Sequence, residues 1–336
     1  MTFHTYTGRN GMVFLAGLAL VAGVLWSARS QAQTYPVKPI RVIMPTVPGS
    51  PPDHALRVLT TKMSVGIGQP MIVENRGGAG GTLGAGVAAK APPDGYTIMM
   101  GSITSLSIGP AMYPSAGIDP VKMFAPISQV AAAPSVVAVP VSLPVTTLKQ
   151  FVELVRANPG KYNYASSAAA SPPHISGALF IHTLGLEMVH IPFGTPAKVI
   201  IAVLNGDAHM FIEALGAIGP QVSAGKMRVL AIAAAKRSPF VPDVPTVAEA
   251  GFPSVESGTW SGLLAPAGTP AAIIARLNSE THRGADTREM REVMATQGGE
   301  VIWGTPEQFG KLIADEAVKW EKAVALSGAR PGRSSP

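Results

Sequence analysis

The stretch Pro45–Arg57, PTVPGSPPDHALR, puts four prolines and one glycine into the eight residues between an apolar run, IRVIM (Ile40–Met44), and a helical pattern. A second stretch, Ala165–Gly177, ASSAAASPPHISG, repeats the device. The shared pattern is Ser50-Pro51-Pro52-Asp53 and Ser171-Pro172-Pro173-His174. Serine suits a helix N-cap, and proline suits the first helical positions, where its missing N–H would have no partner in any case. Asp53 then falls at the third helical position, close to a capping box. Both stretches therefore read as strand-to-helix turns, the loops that line the ligand crevice of an open α/β sheet.

Working outward, short β-rich runs alternate with helical stretches. IRVIM, MIVEN (71–75), YTIMM (96–100), SVVAVP (135–140), YNYAS (162–166), EMVHIPF (187–193), HMFI (209–212) and MRVLAIA (227–233) read as strands. Such alternation predicts βαβ units on mostly parallel sheets flanked by helices. Thr146–Ala157 sets Leu148, Phe151, Val152 and Val155 on one face, and Thr305-Pro306 opens an apolar stripe running from Phe309 to Val324. Two extended passages, residues 125–140 and 256–270, read as chain crossings between domains. The expected division is 33–134 plus 256–336 as one domain and 135–255 as the other, each with its own strand-to-helix turn.

The chain's 336 residues suit two compact units, and 47% hydrophobic residues, 36 Gly and 31 Pro suit a globular α/β protein. The net charge of +6 comes with no basic run or basic helix face, so nucleic acid is not an expected partner. Arg9 precedes the uncharged apolar run GMVFLAGLALVAGVLW, and Ser30 and Ala32 occupy the small-residue sites of a cleavage after Ala32. Residues 1–32 read as a secretory leader whose removal takes two arginines and leaves +4. There is no cysteine, which excludes a disulfide framework, a thiolate nucleophile and a cysteine metal site.

Rival chemistries are poorly supplied. Gly84–Ala89, GAGVAA, fits the dinucleotide hexapeptide, but it begins nine residues after MIVEN and inside a helical stretch. Its glycines suit close packing of that helix on a sheet. Neither G-x-S-x-G nor H-E-x-x-H occurs, and the histidines lack ligand spacing, so no metal or other cofactor is expected. His174, at a helix start, is the histidine best placed to meet an anion.

Together YPVKPIRVIMP (35–45), GQPMIVENRGGAGGTLGAGVAAKAPPDGYTIMMG (68–101), NPGKYNYASS (158–167), AGKMRVLAIAAAKRSPFVPDVPTVAEAGFP (224–253) and WSGLLAPAGTP (260–270) resemble the Bug (Bordetella uptake gene product) or TctC family. These are periplasmic solute-binding receptors of tripartite tricarboxylate transporters. The resemblance implies a two-domain periplasmic binding protein fold, type II-like, that closes by a hinge near residues 131–135 and 256–260. It implies a non-enzymatic, monomeric receptor for a small organic acid, with membrane transporter subunits as partners and the carboxylate held by backbone N–H groups, hydroxyls and waters.

Matched residue by residue, the first family loop falls on Pro45, Pro48, Gly49, Ser50 and Asp53, and the serine-pair loop on Ser166, Ser167 and His174. The loop after YTIMM falls on Gly101, Ser102 and Thr104, and the aromatic at the domain crossing on Trp260, for which packing is the favoured role over a wall of the cleft. The expected ligand-binding set is Pro48, Gly49, Ser50, Asp53, Ser102, Thr104, Ser166, Ser167, His174, Thr195 and Glu213. Pro51, Pro52, Pro172 and Pro173 depart from the family pattern and remove four N–H donors from the rim. That departure favours an aromatic or partly apolar acid over a small di- or tricarboxylate. A secreted hydrolase acting on an acidic substrate in the same cleft is the alternative.

Overall fold

A computed structural model describes residues 35–168 and 171–329. The expected leader, residues 1–32, lies outside the described residues. In chain order the first block is β1 (Ile40–Met44), α1 (Pro51–Ile67), β2 (Met71–Asn75), α2 (Thr82–Ala89), β3 (Thr97–Ser102), the short α3 (Gly109–Met112) and β4 (Phe124–Pro140). The second is α4 (Leu148–Arg156), β5 (Asn163–Ser166), α5 (Pro172–Leu184), β6 (Val189–Pro192), α6 (Pro196–Asn205), β7 (Met210–Ala214), α7 (Leu215–Ser223) and β8 (Met227–Ile232). The last is β9 (Gly258–Pro266), α8 (Ala271–Ala285), α9 (Arg288–Thr296), β10 (Glu300–Val301) and α10 (Pro306–Ser327).

Within each βαβ block the ladders are parallel, β1 with β2 and β3, and β5 with β6 and β7. The two extended passages form β4 and β9, which run antiparallel to each other and join the blocks. β4 pairs with β9 from Phe124↔Pro266 to Pro134↔Gly258, then with β7 and β8 from Ser135 onward. One 17-residue strand thus belongs to both lobes. Its alternation is that of a strand buried on two faces: Val137 and Val139 enter one core cluster with Phe151 and Phe180, and Val136 and Ala138 enter another with Val203 and Phe211. A third cluster gathers Ile43, Met99, Leu264, Phe309 and Trp320.

The helices follow their sequence patterns. Thr147 accepts from the Gln150 N–H and Gln150 reaches back, a capping box, and Leu148, Phe151, Val152 and Val155 are buried. Each of these large side chains contributes roughly 1.5–3 kcal/mol through burial. Thr305 and Gln308 form the same box at the head of α10. That helix serves both lobes, because its Ile313 and Trp320 share a cluster with Ile175 and Leu179 of α5. In α2, a Cβ on Gly84 would lie 2.6 Å from the Arg76 carbonyl oxygen and 2.9 Å from Pro45 Cβ. This glycine lets the helix approach the chain's own backbone.

The two serine-proline-proline turns carry a correction. Ser50 and Ser171 occupy N-cap positions with extended backbone, yet neither side chain caps. Ser50 Oγ donates to the Val47 carbonyl at 2.9 Å and Ser171 Oγ to the Ala168 carbonyl at 2.7 Å. The reason is local: prolines at the first two helical positions leave few N–H groups for a cap to serve, so each hydroxyl turns back three residues instead. Gly49, with φ +75°, makes the left-handed step that delivers Ser50 to the helix.

Candidate functional site

The strand-to-helix turns of the two lobes border two cavities that share Ile103 and Thr259. The larger has a volume of ≈ 320 Å³. Pro51 and Pro52 at the head of α1, and Ser102, Ile103 and Thr104 beyond β3, form one side. Ala131–Ala133 of β4 and Thr259–Ser261 of β9 form the floor, with Met294 and Gln297 from the end of α9. The other lobe contributes Ala214, Gly216 and Ala217 at the β7–α7 turn. The smaller cavity, ≈ 10 Å³, holds about one water and is bordered by Pro172, Pro173 and Ser176 of α5, with Ser135, Glu213 and Trp320.

Of the expected set, Ser102 and Thr104 line the larger cavity and Glu213 the smaller. Ser102 is held by Ser105, whose Oγ accepts from the Ser102 N–H at 3.0 Å. Pro48, Gly49, Ser50 and Asp53 lie behind Pro51 and Pro52 and line neither cavity. Asp53 is almost fully buried and its carboxylate is occupied: Oδ2 accepts from the Gly49 N–H at 2.9 Å and Arg57 Nε at 3.0 Å, and Oδ1 from Asn75 Nδ2 at 2.8 Å. Burial opposes its ionisation, but these donors outweigh that and hold the carboxyl below its ordinary range. Thr195 also lies away from both cavities, capping α6 by accepting from the Lys198 N–H.

Ser166, Ser167 and His174 stand behind the second turn. His174 stacks on His190 with ring centroids 3.7 Å apart and planes 7° from parallel, and Tyr164 packs beside both. Burial pushes both imidazoles down to about 4, with the like charge of His174 adding to the effect on His190. The stack is thus neutral at physiological pH. Ser166 Oγ lies 2.8 Å from the Ala168 carbonyl and 2.7 Å from His190 Nε2. The tautomer of His190 sets which of Ser166 and His190 donates in that contact.

The electrostatics are sparse. No ionisable side chain lines the larger cavity. Glu213, at the smaller one, accepts from the Ala214 N–H at 2.8 Å. Burial raises its pKa and that hydrogen bond lowers it only in part. A carboxylate placed here meets hydroxyls, an amide and backbone N–H groups rather than a guanidinium or ammonium. Among the described residues no cluster of three or more metal-ligating side chains occurs.

Sequence reasoning missed several contributors. His190 has no ligand spacing to His174 in the sequence, and only the fold stacks the two rings. The β7–α7 turn at Ala214–Ala217 was findable, since Glu213 already marked the end of an apolar strand before a helix. Met294 and Gln297 carried no signal, because they sit at the end of an ordinary amphipathic helix. Gln297 Nε2 donates to the Pro51 carbonyl at 3.1 Å, tying that helix end to the first proline turn.

The comparisons with known proteins agree with this architecture. Residues 55–328 match the model of the tripartite tricarboxylate transporter family receptor. BugT of Bordetella pertussis is 32% identical over 319 residues, 95% of this chain and 96% of BugT. The structure of MatC from Rhodopseudomonas palustris with bound malate is 31% identical, with a TM-score of 0.68, covering 86% of this chain and 100% of that one. A second R. palustris protein, solved with adipate, is 30% identical, with a TM-score of 0.70, covering 88% and 99%. Among the described residues no helix is long and apolar enough to cross a membrane. By sequence across nearly its whole length and by its two-lobed fold, the chain belongs to the tripartite tricarboxylate transporter receptor family.

Proposed function

We propose that the protein is an exported receptor that captures a small carboxylated organic solute between its lobes and hands it to membrane transporter subunits. The observation that carries this reading is the ≈ 320 Å³ cavity, bordered by strand-to-helix turns from both lobes and furnished with neutral donors. Its volume lies within the range of small-molecule sites. The malate and adipate bound by two relatives are solutes of the matching class. In this reading residues 33–134 with 256–336, and 135–255, move as two bodies about the β4–β9 crossing, and the solute selects the closed arrangement. Ser102 and Thr104 meet the solute, while the loops at Pro48–Asp53, Ser166–Ser167 and His174 hold the turns in shape from behind. The chain works as a monomer, after removal of a leader at residues 1–32, and binds without turnover.

A thermal-shift screen of the purified mature chain against a library of carboxylic acids tests this. Binding to the folded state raises the melting temperature, by an amount that grows with ligand concentration over Kd. At least one acid should produce a saturable rise. A library in which no acid does so, up to millimolar concentration, removes the proposal.

A further inference from the structure

We infer that Glu213 meets the solute as a carboxylic acid, donating its O–H to the solute's carboxylate, so that capture and one proton go together. This rests on the receptor reading above and adds to it a group that recognises the charge. The place of the acid carries the argument. Glu213 lies one residue from the end of β7 and borders the smaller interlobe cavity, while Ala214, next in the chain, lines the larger one. Its Oε1 accepts from the Ala214 N–H at 2.8 Å, and among the described residues Oε2 has no partner. Beside it stand the hydroxyls of Ser135, Ser176 and Thr259, and no cation. An ionised Glu213 would repel an anion held in this space. The acid form instead supplies an O–H donor to a charged acceptor, the stronger kind of hydrogen bond.

The surrounding charges do not favour ionisation. β4, β9 and α7 have no charged residue. Of the groups brought by β5 and α5, Tyr164 and His174 are buried and neutral at physiological pH, and His182 is exposed. α10 sends Trp320 to the smaller cavity, whereas its Glu316 and Lys319, 2.8 Å apart, line an adjoining cavity of ≈ 410 Å³. That cavity shares Ala132, Ala133, Thr259 and Trp260 with the larger one. In it Lys236, Arg237 and Lys319 are matched in number by Glu256, Glu300 and Glu316, and none of the six borders the cavity of Glu213. With no cation to offset it, burial raises the Glu213 pKa, and the Ala214 hydrogen bond lowers it only in part.

Titration calorimetry of the purified mature chain tests this with malate, adipate, hexanoate and phenylacetate, and with the acid that stabilises the chain most in the wider screen. Kd is measured at pH 6, 7, 8 and 9, and binding heats at pH 8 in phosphate and in Tris, whose heats of ionisation differ. The complex keeps a proton that the free carboxyl gives up as pH rises. Affinity should therefore be full below the free carboxyl's pKa and fall above it, by up to about tenfold per pH unit, with uptake of up to one proton. Glu213→Gln, whose amide donates at every pH, should bind with a flat Kd near the parent's value at pH 6. Glu213→Ala should bind about tenfold or more weakly at pH 6. A flat Kd in the parent, a slope unchanged by Glu213→Gln, or unchanged affinity in Glu213→Ala overturns the inference and leaves the receptor reading standing. If neither variant folds, a parent that binds without proton uptake still overturns it. Failure of every acid in the wider screen removes the receptor reading itself, and this inference with it.

Discussion

Gly216 and Gly298 meet backbone to backbone across the gap between the lobes: a Cβ on Gly298 would lie 2.2 Å from the Gly216 nitrogen. A Cβ on Gly216 would lie 2.3 Å from the Gln297 carbonyl carbon. Neither neighbour is the end of a flexible side chain, so neither can step aside. The two glycines leave no clearance between the backbones where the lobes meet.

Gly216→Ala tests this contact. Gly216 is the second residue of α7, where alanine is favoured over glycine by roughly 0.5–1 kcal/mol. The methyl meets the Gln297 backbone in the described structure, so that gain is outweighed and the variant should melt lower than the parent even in the absence of solute. Its affinity for any acid that stabilises the parent should fall about tenfold or more, because the added methyl must be accommodated before the lobes meet. Unchanged affinity by calorimetry would show that the contact does not limit closure.

The stacked imidazoles give stability a pH dependence of known sign. His174 and His190 titrate at about 4 in the folded chain against 6.5 for an unperturbed histidine. The unfolded chain therefore takes up their protons first as pH falls. Stability present above pH 6.5 is lost between about 6.5 and 4 and then levels off with respect to these two groups. For buried His174 the loss is on the order of 2–3 kcal/mol. His174→Phe, which keeps an aromatic partner without a titrating group, should flatten the fall of melting temperature over that range; an identical slope in parent and variant rules the stack out as its source.

Asp53 ties three parts of the first lobe together: the Gly49 turn, α1 through Arg57 and β2 through Asn75. Asp53→Ala removes a buried acceptor from donors on exposed Gly49 and Arg57 and half-buried Asn75, and should cost about 1–2 kcal/mol in urea unfolding. A loss below about 0.5 kcal/mol would mean that water replaces the carboxylate at no cost.

The turn serines and the capping threonines should behave differently. Thr305→Ala removes a side chain that accepts from the Gln308 N–H, and should cost about 1 kcal/mol. Ser50→Ala and Ser171→Ala remove only a hydroxyl that donates to a carbonyl three residues back, and each should cost about 0.5 kcal/mol. Equal losses at all three positions, by denaturant midpoint, would contradict the assignment of Ser50 and Ser171 as non-capping.

What the sequence disclosed, and what it hid, divides along local and non-local lines. The strand runs, the Thr305-Pro306 helix start and the apolar face of α4 depend on residues within one or two turns of each other, and all were legible, whereas the Thr147–Gln150 and Thr305–Gln308 capping boxes, though equally local, were not read. The passages at residues 125–140 and 256–270 looked extended, but their pairing as β4 and β9 depends on partners more than a hundred residues apart. The prolines at 51 and 52 drew attention to the first turn, although the residues expected to touch the solute there, Ser50 and Asp53, support the turn from within. Proline itself forms the wall. The His174–His190 stack and the Gly216–Gly298 contact require three-dimensional proximity that no spacing rule encodes.

The shared strand β4 bears on how the molecule comes apart. Its 17 residues, roughly 55 Å of extended chain, supply ladder partners to both halves. Melting either half would strip hydrogen-bond partners from a strand that the other half still needs. Calorimetric denaturation should therefore show one cooperative peak rather than two. Cutting the chain at the midpoint of β4 should yield fragments that each lack a central rib, and neither should fold until the two are mixed.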